Sequence, residues 1–350
     1  MNNFFEVEQV HSNLLFGRVT QKIPLISFVI PTFKRYDSLK EAILSILNQE
    51  PVDYIIYNII VVSNDNEFNI DLLDVELDPD KVLIYANNQN VGMCNNMNKC
   101  AMLANGSFIS YLQDDDVLLP NYLHEIGKLF VANRLDDIDC LIPNRSYYFD
   151  GKSIQTTFGK KAKLKGRLKG FLFNTFQKKR EALQKITAND CANDWYNGFG
   201  GGPTCGIMFK KSSFMDFGGF NSNYPYIFDL VFFVDFSERY NTVLYNKTLS
   251  VYRTTDSASN RSEVQADFFR GDMYLLNRTI DSSRFVKKYR EEITFFCYKS
   301  KPVGAQKIIY RDRVIPQCSK VRYIIFRVKH NLKLLRSNLC RFEISEINLK

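Results

Sequence analysis

The feature that most constrains this chain is an alternation in its first 150 residues. Short apolar runs give way to polar clusters, and helix-periodic stretches follow. Leu25–Ile30 is an apolar run closed by Pro31 and reads as a buried strand. Ser38–Gln49 places Leu39, Ala42, Ile43, Ile46 and Leu47 at helical spacing, and Ser38 with Glu41 forms a capping-box signature. Ile59–Val62 and Val82–Tyr85 read as strands. Val91–Asn105 reads as a helix stopped by Gly106 at the position after its end. Phe108–Leu112 is a fourth strand, Leu119–Asn133 a helix and Cys140–Ile142 a further strand.

Strands and helices alternating at this spacing predict βαβ units and an α/β fold with a mainly parallel, Rossmann-like sheet flanked by helices. Right-handed crossovers put all the strand C-terminal ends on one edge, where ligands bind in open α/β sheets. Pro31–Arg35, Ser63–Asn66 and Gln113–Asp116 are therefore expected to meet.

The second half is less regular. Tyr147–Asn193 reads as an insertion or substrate-facing lobe. Cys205–Phe209 regains strand character after the loop Gly200–Pro203, and Gly218-Gly219-Phe220 is a turn. Asp229–Tyr240 reads as a helix, Val243–Tyr245 and Leu249–Tyr252 as strands. Beyond Asn260 the pattern is mostly helical, broken at Pro302 and Pro316. These shifts divide the chain into 1–22, 23–145, 146–260 and 261–350.

The net charge of +8 is concentrated. Lys160–Arg180 holds nine basic residues and no acidic one, and Lys301–Arg341 holds eleven basic residues with Asp312 alone opposing them. Such segments suit an anionic partner, nucleic acid or phospholipid, or form a solvated basic face or packed terminal helix. Lys160–Phe176 and Tyr323–Arg336 mix basic and apolar groups in a way that suits an anionic membrane surface. No run is long and apolar enough to span a bilayer, and residues 1–17 lack the pattern of a signal peptide. The eight cysteines form no C-x-x-C pair and the three histidines do not cluster. Reduced thiols in a cytoplasmic protein are expected, without a zinc site.

Asp114-Asp115-Asp116 is the strongest chemical signal. Hard divalent cations take carboxylate, phosphate and water oxygens, and a cation so held neutralises a departing diphosphate. Taken alone, three aspartates also make an acidic, solvated turn. The strand before them and the apolar run with Pro120 after them favour the site.

Four segments in this order resemble family 2 glycosyltransferases: Ile23–Arg35, Ser38–Gln49, Asn90–Asn98 (N-x-G-x5-N) and Gly106–Asp116 followed by Leu118-Leu-Pro120. The resemblance runs from about Pro24 to Leu123, and more weakly from Gly202 to Tyr252. It implies a GT-A fold with a nucleotide-sugar-binding half at 23–145, an acceptor-binding half at 146–260, and a basic, mostly helical region after 260. It also implies an inverting, metal-dependent enzyme using a nucleotide-sugar, a UDP-sugar above others, with Mn2+ or Mg2+. The acceptor implied is a glycan hydroxyl, lipid-linked, at the inner face of the cell membrane in surface-polysaccharide assembly, with no nucleic-acid partner.

Under the same resemblance Pro31, Thr32, Phe33 and Arg35 line the nucleotide pocket, joined by Asn90 and Gly92. Asn64 or Asp65 meets the base, Asp114 the ribose or sugar, and Asp115, with Asp116, the metal. Ser63 stands where many relatives carry Asp, Gln113 where an Asp often begins the metal motif, and Met97 where Arg is common. Asp229, beyond the Gly-Gly-Phe turn, is the expected catalytic base or else a helix cap, with Asp235 and Glu238 as lesser candidates. Arg253 binds a phosphate or faces solvent, and Trp195-Tyr196 forms a sugar platform or packs in the core. Two rivals are a nucleotidyltransferase, which would need a glycine-rich loop absent from Pro31–Arg35, and a non-catalytic basic adaptor on the same fold.

Overall fold

The computed structural model describes residues 3–148, 183–188, 204–253, 261–279, 284–312 and 315–336. The basic segment 160–180, Trp195, Tyr196 and the loop 200–203 lie outside them.

A ten-stranded sheet runs through both halves of the chain. In chain order its strands are β1 (Ser12–Phe16), β2 (Ile26–Thr32), β3 (Tyr57–Ser63), β4 (Val82–Asn87), β5 (Phe108–Tyr111), β6 (Val117–Leu118), β7 (Cys140–Tyr148), β8 (Leu183–Ile186), β9 (Ile207–Lys210) and β10 (Thr242–Arg253). The sheet order is β1-β4-β3-β2-β5-β9-β7-β10-β6, with β8 on β10. Its centre, β4-β3-β2-β5, is parallel, as the alternation predicts. The periphery is mixed: β9 runs antiparallel between β5 and β7, whereas β7 and β10 are parallel. Val243–Tyr245 and Leu249–Tyr252 belong to one long strand, β10, interrupted by register shifts rather than by a turn.

The helices are α1 (Phe5–Glu8), α2 (Tyr36–Leu47), α3 (Met93–Leu103), α4 (Tyr122–Val131), α5 (Lys211–Phe217), α6 (Phe228–Phe236), α7 (Ser262–Thr279), α8 (Arg284–Lys288), α9 (Arg290–Ser300), α10 (Val303–Asp312) and α11 (Lys320–Arg336). Alternate residues of β2 feed two cores. Ile26, Phe28 and Ile30 pack with Leu39, Ala42, Ile43 and Ile46 of α2, while Val29 joins Met97 and Cys100 of α3 on the other face. Helix α6 is apolar nearly all round and is correspondingly buried, with the Phe232 ring centroid 4.7 Å from that of Phe220 and the two rings tilted by 53°. The C-terminal helices close a third core around Phe269, Tyr289, Ile293 and Phe326.

Three local expectations are corrected. Helix α2 begins at Tyr36, so Ser38 lies inside it and no capping box forms; Glu41 instead pairs with Arg253. Helix α3 ends at Leu103, so Gly106 is no helix stop. A Cβ there would lie 2.6 Å from the Ser27 nitrogen, and the glycine permits close approach to β2. Helix α4 covers only Tyr122–Val131, because Pro120 precedes its first turn. The N-terminal segment was not legible as structure. It adds β1 antiparallel to β4, and Lys99 anchors it by donating to the carbonyls of Val7 (3.2 Å) and Val10 (2.6 Å).

Turn Gly218-Gly219-Phe220 sets the start of the segment leading to α6. Asn98 of α3 holds it with two hydrogen bonds to Phe220, each 2.8 Å. Gly219 has φ +74°, and a Cβ there would lie 2.7 Å from both Asn98 Oδ1 and Phe4 Cζ. Gly219→Ala is expected to cost about 2 kcal/mol or more through left-handed strain and this double clash. Urea denaturation checks it; an unchanged midpoint would mean that the turn relaxes freely.

Candidate active site

Strand β2 pairs with β3 through Thr32–Ser63 but with β5 only through Val29–Tyr111. Leu112 N donates to Val29 O (3.1 Å), so Val29 faces β5. Pro31, two residues on, faces the same way and has no N–H to offer. The β2–β5 ladder stops there and a crevice opens. It lies where chain order reverses, with β3 on one side of β2 and β5 on the other. That reversal is the ligand-binding position of open α/β sheets.

Residues expected from two strand ends meet in this crevice. Thr32 Oγ1 donates to Asp114 Oδ2 (2.8 Å). Lys34 takes a left-handed φ of 57°, which turns the chain so that Arg35 points back. The Arg35 guanidinium then bridges Asp114 Oδ1 (3.4 Å) and Asp115 Oδ2 (2.5 Å). Phe33 is exposed beside it, with Lys34 Nζ 5.5 Å from its ring centroid.

The three aspartates differ in environment. Asp115 is the more open side chain, 22% exposed against 9% for Asp114. Asp116 is fully buried, and its Oδ1 accepts the Arg253 N–H (2.9 Å). Burial, then the charge of Asp115, raises Asp114 to about 6 and Asp116 to about 8. Thr32, Arg35 and the Phe33 backbone oppose the shift at Asp114, the Arg253 backbone and the Cys205 thiol that at Asp116. The Arg253 side chain is not presented as a free fork: it bonds the Asp115 carbonyl and pairs with Glu41.

Strand β3 ends in an amide network. Asn64 Nδ2 donates to Asn90 Oδ1 (3.0 Å) and Gly92 O (3.1 Å), while its Oδ1 accepts from Asn87 Nδ2 (3.1 Å) and Val91 N (3.1 Å). Its hydrogen-bonding capacity is filled, so Asn64 shapes the loop carrying Asn90 and Gly92. Asp65 is held less fully, with Oδ1 accepting from Glu67 N (3.2 Å).

Asp229 lies in the first turn of α6, partly buried, and accepts from Leu230 N (2.8 Å). It is not the residue preceding the helix; Ile227 is. Burial raises its carboxyl to about 7, opposed by backbone N–H groups and by Arg145. Arg145, buried on β7, also acts electrostatically on Cys205, which in turn adjoins Asp116. Arg145 is thus a buried cation whose charge acts on both Asp229 and Cys205. Sequence reasoning missed it, because it follows Pro143 in a stretch without regular alternation. Asp235 and Glu238 are engaged elsewhere, with Arg278 and, for Asp235, Tyr274.

The arrangement fits a divalent cation in one respect. Adjacent carboxylates raise one another's proton affinity, and Arg35 is the cation set directly between Asp114 and Asp115. Among the described residues no three His, Cys, Asp or Glu side chains converge as a metal cage. The protein would therefore supply one or two carboxylates and the ligand's phosphates the rest, the usual arrangement for Mg2+.

Residues 27–210 match glycosyl transferase family 2. The chain is 31% identical over 210 residues to GalNAc(5)-diNAcBac-PP-undecaprenol beta-1,3-glucosyltransferase of Campylobacter jejuni, covering 55% of this chain and 62% of that one. It is 25% identical over 249 residues to an uncharacterized protein of Mycobacterium tuberculosis, covering 69% and 71%. Among solved structures it resembles S. aureus TarS 1-349, with a TM-score of 0.50 at 12% identity over 77% of this chain and 69% of that chain. At that identity the likeness concerns fold, and it bears out the expected GT-A architecture.

Proposed function

Because the chain belongs to glycosyl transferase family 2, we propose that this glycosyltransferase moves one sugar, with inversion, from a UDP-sugar to a hydroxyl of a lipid-linked glycan. The reading rests on one observation above the others. A partly exposed carboxylate, Asp115, and a buried one, Asp114, stand with Arg35 in the crevice between β2 and β5. The lipid-linked acceptor is supported by the Campylobacter relative, whose name describes transfer to an undecaprenol-PP-linked glycan. Such a reaction belongs at the inner face of the cell membrane, in surface-polysaccharide assembly.

In this reading Pro31, Thr32 and Phe33 border the nucleotide, Asp65 meets the base and Asn64 holds the Asn90–Gly92 loop in place. Asp114, fixed by Thr32, orients the ribose or sugar. Arg35 releases its carboxylates as the diphosphate arrives and turns its fork to phosphate oxygens. Mn2+ or Mg2+, held by Asp115 and the diphosphate, would neutralise charge developing on the leaving group. Asp116 and Arg253 keep the Asp115 backbone in position. Asp229 accepts the proton of the acceptor hydroxyl as its oxygen attacks the anomeric carbon. The bond from that carbon to the phosphate oxygen breaks on the opposite face, and the nucleoside diphosphate departs with its electron pair.

The test is a melting curve with UDP, GDP, CMP and UDP-sugars, in Mn2+ and in EDTA. A ligand at about 100 times its Kd stabilises the folded state by roughly 2.7 kcal/mol. A UDP-selective rise in Tm that EDTA removes is expected. A folded sample that responds to no nucleotide would overturn the reading.

A further inference from the structure

Helix α11 (Lys320–Arg336) is apolar on two opposite sides. One side, with half-buried Tyr323 and buried Phe326, closes the third core; the Phe326 ring centroid lies 5.9 Å from that of Tyr289 and 6.0 Å from that of Phe296. The other side carries Val321, Ile324, Ile325 and Val328, spaced i, i+3, i+4 and i+7. At 100° per residue these form one stripe facing away from Tyr323 and Phe326. They are 68%, 53%, 45% and 55% exposed, so nothing among the described residues covers the stripe. Scattered exposed apolar residues need no explanation, but an aligned stripe opposite a helix's own core does.

Charge identifies what covers it. Lys320 and Arg327 border the stripe on one side and Lys329 on the other, all exposed. Arg322 lies beyond Lys329, paired with Glu292 (2.6 Å). From Arg313 to Arg341 the sequence contains no acidic residue. An apolar stripe between rows of cations matches an anionic bilayer, whose acyl boundary takes the stripe while its headgroups take the amines and guanidinia. No described helix is long and apolar enough to cross a membrane, so α11 would lie on the surface. We propose that the outward face of α11 docks the protein on anionic phospholipid, the surface from which the lipid-linked acceptor of the proposed reaction would be presented.

The test is co-sedimentation of the full chain with phosphatidylcholine vesicles, with and without phosphatidylglycerol. Binding is expected to the anionic vesicles only and to weaken with salt. Ile324→Glu/Ile325→Glu is expected to lower it about tenfold or more, whereas Ile324→Leu/Ile325→Leu retains it. Since these side chains are exposed, neither variant should shift Tm. Equal binding by the glutamate variant and the natural chain overturns the proposal. So does a concentration-dependent dimer, seen by light scattering without lipid, that the glutamates dissolve, because the stripe would then belong to a second copy. The UDP-induced Tm rise, measured on the same samples, separates these failures from failure of the transferase reading, since none of the residues placed at the nucleotide lies on α11.

Discussion

Asp229→Asn is expected to lower kcat by about a thousandfold, the scale of a lost general base, while leaving the nucleotide-induced rise in Tm unchanged. Its carboxyl, raised to about 7 chiefly by burial, is poised to take a proton near neutral pH. The rate of the natural chain should therefore rise with pH through about 7 and level off above it, a limb the amide variant lacks. Stability should move the opposite way. An unfolded chain releases this proton near 3.8, whereas the folded chain keeps it to about 7. Within that window the folded state binds more protons, so rising pH destabilises it, and the loss is complete above the folded value. Asn cannot ionise, so the variant should match the natural chain near pH 4 and exceed its stability at pH 8, by at most roughly 4 kcal/mol. Denaturant melts at the two pH values check this. An inactive variant without the crossover in stability would point to a role for Asp229 other than that of a buried base.

The crevice was legible in the sequence because its parts are local: an apolar run ended by Pro31, another ended by Asp114, and helical spacing between them. Parallel pairing then brings the strand ends together without further information. What the sequence hides depends on distant contacts. Nothing near Ser12–Phe16 shows that it completes the edge beyond β4, since its partners lie some 70 residues away. Arg253 reads in the sequence as a phosphate ligand or a solvent-facing arginine alike, and its contacts with Glu41 and the Asp115 carbonyl come only with the fold. Likewise Asn64 and Asp65 look interchangeable until the amide network shows that Asn64 is fully committed. Asp116 shows the same limit. Identical to its neighbours in sequence, it is separated from Asp115 by full burial beside the end of β10, whose Arg253 N–H it accepts.

That separation gives the second large expected effect. Asp115→Ala should lower turnover at least about a hundredfold, because charge neutralisation at a departing diphosphate contributes several kcal/mol to the transition state. It should also abolish the part of the UDP-induced Tm rise that depends on Mn2+, while a smaller cation-independent part remains. Arg35, released from one of its two carboxylate partners, stays bonded to Asp114 and is still available to phosphate. Asp116→Asn is the informative contrast. Its side chain is fully buried, and an amide oxygen can still accept the Arg253 N–H, so the clamp survives. Cation-dependent nucleotide binding should persist in Asp116→Asn and vanish in Asp115→Ala. If the two behave alike in titrations of UDP with and without Mn2+, the cation sits between both carboxylates. The buried aspartate must then turn outward when the donor binds, a rearrangement that would break its bond to Arg253.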